Sequence, residues 1–378
     1  MIGIQGQYLF DVKIGSLSGF LTEADLVVFK LIEEAGNKLP LFEMIFKVND
    51  PAIYRLMNQG NLLKVSFGVN QLNMYDLQLM IVERDRLSES ANSTFVRLVG
   101  TLAAIQYSTA NTTYSKTTTT KEAIQELASK FFQYESNITP GNDRMGWVSN
   151  SKTVRSFINK LWLHSDVGND IPMIGITSTG KFRHLALLKH VNQSNKWTLT
   201  TNTPNPGEIP LSQLPSVFSN AAAVNLLGGY SRSIIVNDLG NAKTKRITPP
   251  ELDKGILSNS ESLDTINAGT RLRAVSYTND NVFPEYHQRR EFNSKHLLML
   301  DSLNAKCYVE GVFCGVQVLD VVMLKDSSYM LGQSVEDTSG LWIVKKVARI
   351  IQDKKFHTVI TLTRDSINKL TLLKQEDN

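Results

Sequence analysis

His184 and His190 stand six residues apart. A helical metal pair needs ligands at i and i+4, and no carboxylate lies near them in sequence, so both read as structural residues in or beside a hairpin. Cys307 and Cys314 are the two cysteines of the chain. They would serve as a redox pair, but they read as small buried hydrophobes flanking the start of a strand. Two are too few for a disulfide framework or a four-cysteine zinc site. Glu83, Asp85, Asp320 and Glu336 would supply acid and base if two of them converged about 5–10 Å apart. Their scattered spacing carries no such pairing. The segment Gly175 to Lys181 (GITSTGK) comes nearest to a phosphate-binding loop. There Phe182 stands where Ser or Thr is required, and a strand follows instead of a helix. No GxGxxG, HExxH or nucleophile elbow occurs. The expected site is therefore none: no catalytic residue, no metal ligand, no cofactor and no small-molecule substrate.

Short basic clusters remain: Lys243-Thr244-Lys245-Arg246, Arg289-Arg290, Lys345-Lys346 and Lys354-Lys355. They read as solvated surface, or as contacts with an acidic partner or transient DNA. No aromatic interleaving supports stacking on single strands. Lys plus Arg is 40 against 36 for Asp plus Glu, a net +4. Over this length that is no footprint of a nucleic-acid-binding surface.

The elements that must position these residues fall into three parts. At about 150 residues per domain, 378 residues suggest two or three domains. A hydrophobic share of 42% supplies enough apolar material for real cores. No stretch approaches the roughly 20 apolar residues of a membrane span, and the start lacks a signal-peptide pattern. The expectation is a soluble multidomain protein of a reducing compartment.

Residues 1–113 read as short antiparallel strands. Leu9 to Ile14 alternates, Leu41 to Asn49 places Phe42, Met44, Phe46 and Val48 on one face, and Asn61 to Gly68, Tyr75 to Arg84 and Phe95 to Ile105 follow. Leu21 to Asn37 is ambiguous and is taken as strand, with a turn at Gly36-Asn37. Thr109 to Thr120 reads as a polar linker. Residues 118–205 form a small unit of two helices and a hairpin. Ile124, Leu127, Ala128, Phe131 and Phe132 make one helix face; Val154, Phe157, Ile158, Leu161 and Trp162 make the other. Strands at Pro172 to Ile176 and Lys181 to Leu188 form the hairpin. Residues 206–378 return to strand, with a loop-rich insertion at about 238–300 that ends in a helix opened by Pro284. Ala305 to Val312, Val316 to Leu324, Gly340 to Ile351 and Phe356 to Arg364 complete the series, the last two around a turn at Asp353-Lys354-Lys355. Phe10, Val12, Phe42, Met44 and Phe46 are the expected first core. Phe131, Phe132, Phe157, Leu161 and Trp162 are the middle core, and Trp342, Val344 and Val347 pack the last hairpin. Of the candidate aromatics for a binding tip, Tyr8, Phe46, Trp162, Trp197 and Trp342, most sit in patterned runs and are expected inside.

Two segments carry a resemblance. Gly340 to Arg349 (GLWIVKKVAR), a polar turn, then Phe356 to Asp365 (FHTVITLTRD) resembles the closing hairpin of the central baseplate hub proteins of contractile-tailed phages. Glu285 to Leu300 with Lys306 to Leu324, including Glu310-Gly311-Val312-Phe313 before Val316 to Val322, is similar to the helix and return strands of that family's second tube-like domain. Trp147 to Leu163 fits its helical unit. The hubs of type VI secretion spikes and of phage-tail-like bacteriocins share this layout.

The resemblance implies a mainly β, α+β fold: two tube-like antiparallel β-barrels around a small helical unit, the second barrel carrying the insertion. It implies a homotrimer whose six tube-like units match a hexameric tail tube protein on one side and a trimeric central spike protein on the other. Other baseplate proteins would surround it, and double-stranded DNA would pass transiently through its channel. It implies a virion tail component assembled in the host cytoplasm and not an enzyme, with the spike supplied by another chain. Two alternatives stand beside it: a β-rich binding module such as an adhesin, and a cell-wall-degrading tail enzyme.

Overall fold

The computed structural model describes residues 9–14, 17–22, 24–49, 51–70, 73–90, 93–104, 112–150, 153–194, 196–227, 232–240, 242–250, 257, 271–277, 282–310, 314–325, 329–330, 333–334 and 339–365. Tyr8 and Glu336 lie outside them.

The first part is seven strands: β1 (Leu9–Ile14), β2 (Leu17–Thr22), β3 (Leu26–Glu34), β4 (Leu41–Val48), then a short helix α1 (Pro51–Leu56), β5 (Leu62–Asn70), β6 (Asn73–Ser90) and β7 (Ser93–Leu102). Period-2 alternation puts one face of each strand inside. Phe42, Met44, Phe46 and Val48 of β4 are buried, as are Leu63, Val65 and Phe67 of β5 and Val96 and Leu98 of β7. The ambiguous run after Leu21 resolves as β3, whose inward residues are Phe29, Leu31 and Glu33. On β7 the sheet tolerates no side chain at Gly100. A Cβ there would lie 2.0 Å from the Met80 carbonyl oxygen and 2.5 Å from the Phe42 ring.

The middle part holds β8 (Thr113–Tyr114), α2 (Thr120–Ser129), β9 (Gln133–Ser136), β10 (Trp147–Val148), α3 (Val154–Leu163), β11 (Pro172–Ile176), β12 (Lys181–Ala186) and α4 (Leu187–Gln193). The expected linker is partly structured: within its described end, β8 pairs with β10 and Thr119 caps α2. The Thr119 hydroxyl accepts from the Glu122 amide, and the Glu122 carboxylate accepts from the Thr119 amide at 2.8 Å, a capping box. The polar threonines that suggested a linker are helix-starting chemistry. The hairpin gains a third strand, β9, parallel to β12. Phe132, Phe157 and Leu161 are buried, with Phe131 and Trp162 packed against them. They share one apolar cluster with Phe10, Phe42 and Phe46 of the first part.

The last part comprises β13 (Trp197–Thr200), β14 (Ile209–Pro210), β15 (Ser216–Ser219), α5 (Ala221–Leu226), β16 (Arg232–Asp238), β17 (Lys243–Ile247), β18 (Arg271–Tyr277), α6 (Tyr286–Met299), β19 (Leu303–Glu310), β20 (Val321–Lys325), β21 (Tyr329–Met330), β22 (Gln333–Ser334), β23 (Gly340–Gln352) and β24 (Lys355–Arg364). Residues 197–200, read with the middle unit, are woven into this part as β13, parallel to β20. The strand expected from Val316 begins at Val321. Leu319 takes φ +70° and the Asp320 amide bonds back to the Gln317 carbonyl, which makes a turn of the preceding residues. Within the described residues of the insertion, β17 and β18 flank β16 in a three-stranded sheet. Trp342, Val344 and Val347 are fully buried in a second core.

The fold is mainly β with α+β character, as expected, and among the described residues strands of both β regions are joined in one sheet. One ladder runs β14-β13-β20-β23-β3-β4-β7-β6-β5-β1-β2, with β24, β19 and β15 branching from β23, and among the described residues it does not close on itself. The cause is the length of β23. Along one side it pairs first with β20 (Val321↔Ile343) and then with β3 (Arg349↔Leu31); along the other it pairs with β24. Both β regions therefore share a strand pair.

Candidate functional site

The three parts meet at one buried cluster. Glu33 continues the inward face of β3, and Arg349 comes from the middle of β23; both side chains have 0% exposure. The Arg349 Nη1 donates to Glu33 Oε1 at 2.9 Å, and its Nη2 donates to the Val316 carbonyl at 2.6 Å. Its guanidinium stacks on Tyr75 of β6, 4.5 Å from the ring centroid. Glu33 Oε1 also accepts from the amide of Ser178 at 3.0 Å and from the Ser178 hydroxyl, and Oε2 accepts from the Val318 amide at 3.3 Å. An isolated buried charge is costly, and here each is matched by its partner and by further hydrogen bonds.

Ser178 belongs to the GITSTGK segment. That segment is the β11–β12 turn, closed by the Gly180 amide on the Thr177 carbonyl at 3.0 Å. A Cβ on Gly175 would come within 3.1 Å of Leu319, so the backbone is packed against the 316–320 turn. No helix follows, and the segment binds Glu33 in place of a phosphate.

A second joint lies beside it. Arg183 of β12 donates to Asp320 and to the Val318 carbonyl, each at 2.7 Å, and lies 3.4 Å from Glu135. Asp320 Oδ2 accepts from Trp197 Nε1 and from the Gln317 amide, each at 2.9 Å. A cavity of about 400 Å³ opens here, lined by Glu135, Asn137, Arg183, His190, Ser194 and Asp320 among others. Both oxygens of Asp320 are engaged by donors, so it joins Arg183, Trp197 and the 316–320 turn. His190 binds the Leu319 carbonyl through Nε2 at 3.0 Å, and burial lowers its pKa.

The other residues singled out in the sequence disperse. His184 is buried on β12 with Nδ1 bonded to the Tyr134 hydroxyl at 3.0 Å, and burial lowers its pKa to about 3. Among the described residues no group of three or more His, Cys, Asp or Glu could hold a metal. Cys307 and Cys314 are buried thiols in the second core, not joined in a disulfide, and burial pushes the Cys314 thiol up, away from the reactive thiolate. Glu83 and Asp85 flank Arg97, at 3.7 and 2.9 Å, together with Glu43 at 2.6 Å, in a partly exposed ion cluster remote in chain from Asp320. Three of the four basic clusters are tied to carboxylates through one member: Arg289 to Asp166 at 2.8 Å, Lys345 to Asp301, and Lys355 to Glu310 at 3.6 Å. The 243–246 cluster is exposed on β17.

Glu33, Ser178, Arg183 and Arg349 escaped the reading of the sequence. A signal existed for Glu33: Glu33-Glu34 ends a strand, and adjacent strand residues face opposite sides, so one carboxylate had to turn towards the core face of Phe29 and Leu31.

With this architecture in hand, comparison with solved structures finds matches over nearly the whole chain. A tail protein from Neisseria meningitidis MC58 superposes with a TM-score of 0.60 at 11% identity, covering 96% of this chain and 98% of that one. The chain shares the fold of that tail protein. The 43 kDa tail protein of prophage MuSo2 from Shewanella oneidensis gives 0.56 at 11% identity, covering 95% and 99%. The tail-protein fold also extends to an E. coli component of the type VI secretion system, described as structurally similar to the T4 bacteriophage tail proteins gp27 and gp5. It gives 0.54 at 9% identity, covering 96% and 79%. No family model matches the chain, and no curated protein matches it by sequence.

Proposed function

We propose that this chain is the structural hub of a phage-type tail baseplate. In this reading three copies form a ring that joins a hexameric tail tube to a trimeric central spike and leaves a channel for double-stranded DNA. The observation that carries it is the end-to-end likeness to tail proteins, which takes in both β regions and the middle unit together. The interior supports it. Glu33, Arg349 and Ser178 lock three parts of the chain into one body, as a part that transmits force requires.

The hub reading assigns the chain no turnover. A receptor-binding module would call for clustered exposed aromatics. Among the described residues, the large exposed apolar side chains include two aromatics, Trp197 and Phe218. Trp197 is tied to Asp320.

Light scattering on the purified chain, alone and co-expressed with its tube and spike partners, tests the proposal. A particle of three times 42.3 kDa with a central hole in electron micrographs is expected. A monomer at all concentrations, persisting with both partners present, would overturn it.

A further inference from the structure

The insertion sheet ends in a strand of unusual composition. β17 pairs with β16 on one side, and in the order β17-β16-β18 it is an edge among the described residues. An edge strand directs alternate N–H and C=O groups outwards, a template for another strand. Lys243, Thr244, Lys245 and Arg246 of β17 are all exposed. Across the pair, Lys245 faces Val236 and Arg246 faces Ile235, so neither is matched by a carboxylate on the neighbouring strand; Lys243 faces Asp238.

The sheet behind this edge is firmly held. Ile234 and Val236 of β16 are buried, and Glu291 of α6 binds Arg232 at 3.3 Å and Arg273 of β18 at 3.0 Å. Its outer face is partly apolar: Leu272, paired with Ser233, is 54% exposed. The edge is thus a fixed, positively charged rail on a rigid sheet.

Lysines on an edge prevent pairing with a like strand, since cations placed directly opposite one another repel. The same lysines favour a strand of opposite charge. We propose that β17 is a docking strand for an extended acidic segment of another protein, which adds to the insertion sheet by β-augmentation. The incoming strand places carboxylates two residues apart, opposite Lys243 and Lys245 on one face, with an apolar or β-branched residue between them. A protein strand fits better than nucleic acid. A phosphate backbone leaves the outward amides and carbonyls of β17 without the alternating donors and acceptors that a strand supplies, and Arg246 already donates to Ser233 Oγ at 3.2 Å. This inference goes beyond the hub proposal and does not depend on it.

The test uses fluorescently labelled, end-blocked hexapeptides on the full chain, read by anisotropy. One has the sequence Thr-Glu-Val-Glu-Val-Thr; the other has Lys in place of both Glu. The wild type is expected to bind the acidic peptide and not the basic one, with binding at least about tenfold weaker at 1 M salt, where the Debye length falls to about 3 Å. The double variant Lys243→Glu/Lys245→Glu, both positions exposed, is expected to reverse this preference, and its melting temperature shows that it folds. Wild-type binding of neither peptide, equal binding of both, an unchanged preference in the variant, or a short DNA duplex bound in preference to the acidic peptide would each overturn the proposal.

Discussion

Glu33 and Arg349 form a 2.9 Å ion pair with no exposure of either side chain, across 316 residues of sequence. Removing one partner leaves the other charged and buried. Glu33→Ala or Arg349→Ala is therefore expected to cost about 3–5 kcal/mol. The double change Glu33→Leu/Arg349→Met should cost less than either single, because no unpaired charge remains. Chemical denaturation gives all three values. A single substitution costing under about 1 kcal/mol would show that the pair does not hold the parts together.

The pair also marks the limit of what the sequence makes legible. Strand alternation located β4 through Phe42, Met44 and Phe46, and helical spacing located α3 through Phe157 and Leu161, because each face is written in neighbouring residues. The joints are not written locally. Arg349 reads as one charge in an apolar run until β3 is known to lie beside it, and Ser178 reads as turn chemistry until Glu33 is known to reach it. The open ladder was hidden for the same reason. Strand length and alternation are local, whereas the partner of the second half of β23 is set by tertiary packing. Glu33, Ser178, Arg183 and Arg349 were invisible for the same reason, since each is defined by a partner far away in sequence.

Asp320 ties the middle unit to the last β region through Arg183, Trp197 and the Gln317 amide. Asp320→Ala leaves Arg183 with Glu135, 3.4 Å away, as its remaining carboxylate. A loss of about 1.5–3 kcal/mol is expected, from charged hydrogen bonds removed at a half-buried position. Trp197 emission should shift as its indole N–H loses its acceptor. An unchanged melting curve with unchanged Trp197 emission would refute the joint.

His164 and His184 are held neutral by burial, each with its pKa lowered to about 3. In the unfolded chain both titrate near about 6.5. Between those values the unfolded state binds more protons, so stability is full above about pH 6.5 and falls as the pH drops towards 3. Each ring contributes about 1.4 kcal/mol per pH unit in that window. Asp143, whose carboxyl burial pushes up, works in the opposite direction. Denaturation midpoints at pH 7 and pH 5 check the sum, and His184→Gln should lessen the loss between them. Equal loss in wild type and variant would mean that His184 is protonated in the folded protein.

Thr119 starts α2 with both halves of a capping box. Its substitution by Ala removes the acceptor for the Glu122 amide and should cost about 1 kcal/mol, up to about 2. Thr117→Ala, two residues before the helix cap and exposed, is the control and should be near neutral. If the two cost the same, the segment is the linker its composition suggests and α2 draws no stability from it.

The last hairpin turns on Asp353 and Lys354, with φ of +52° and +60°. A two-residue turn of this hand matches the twist of β23 and β24, and it needs left-handed backbone at both positions. An L-residue with a Cβ holds that conformation at a cost of about 1–2 kcal/mol, which Gly avoids. Lys354→Gly is therefore expected to stabilise the protein by about 1 kcal/mol, offset in part by the greater freedom of Gly in the unfolded chain. Gln352↔Lys355 closes the pair, so the register of the whole hairpin, including Arg349↔Thr358, hangs on this turn. Inserting one residue after Lys354 should disturb that register and undo the alignment of Arg349 with Glu33. The expected readout is a stability loss at least as large as that of Arg349→Ala. A mild effect of the insertion would mean that β3, and not the turn, sets where Arg349 lies.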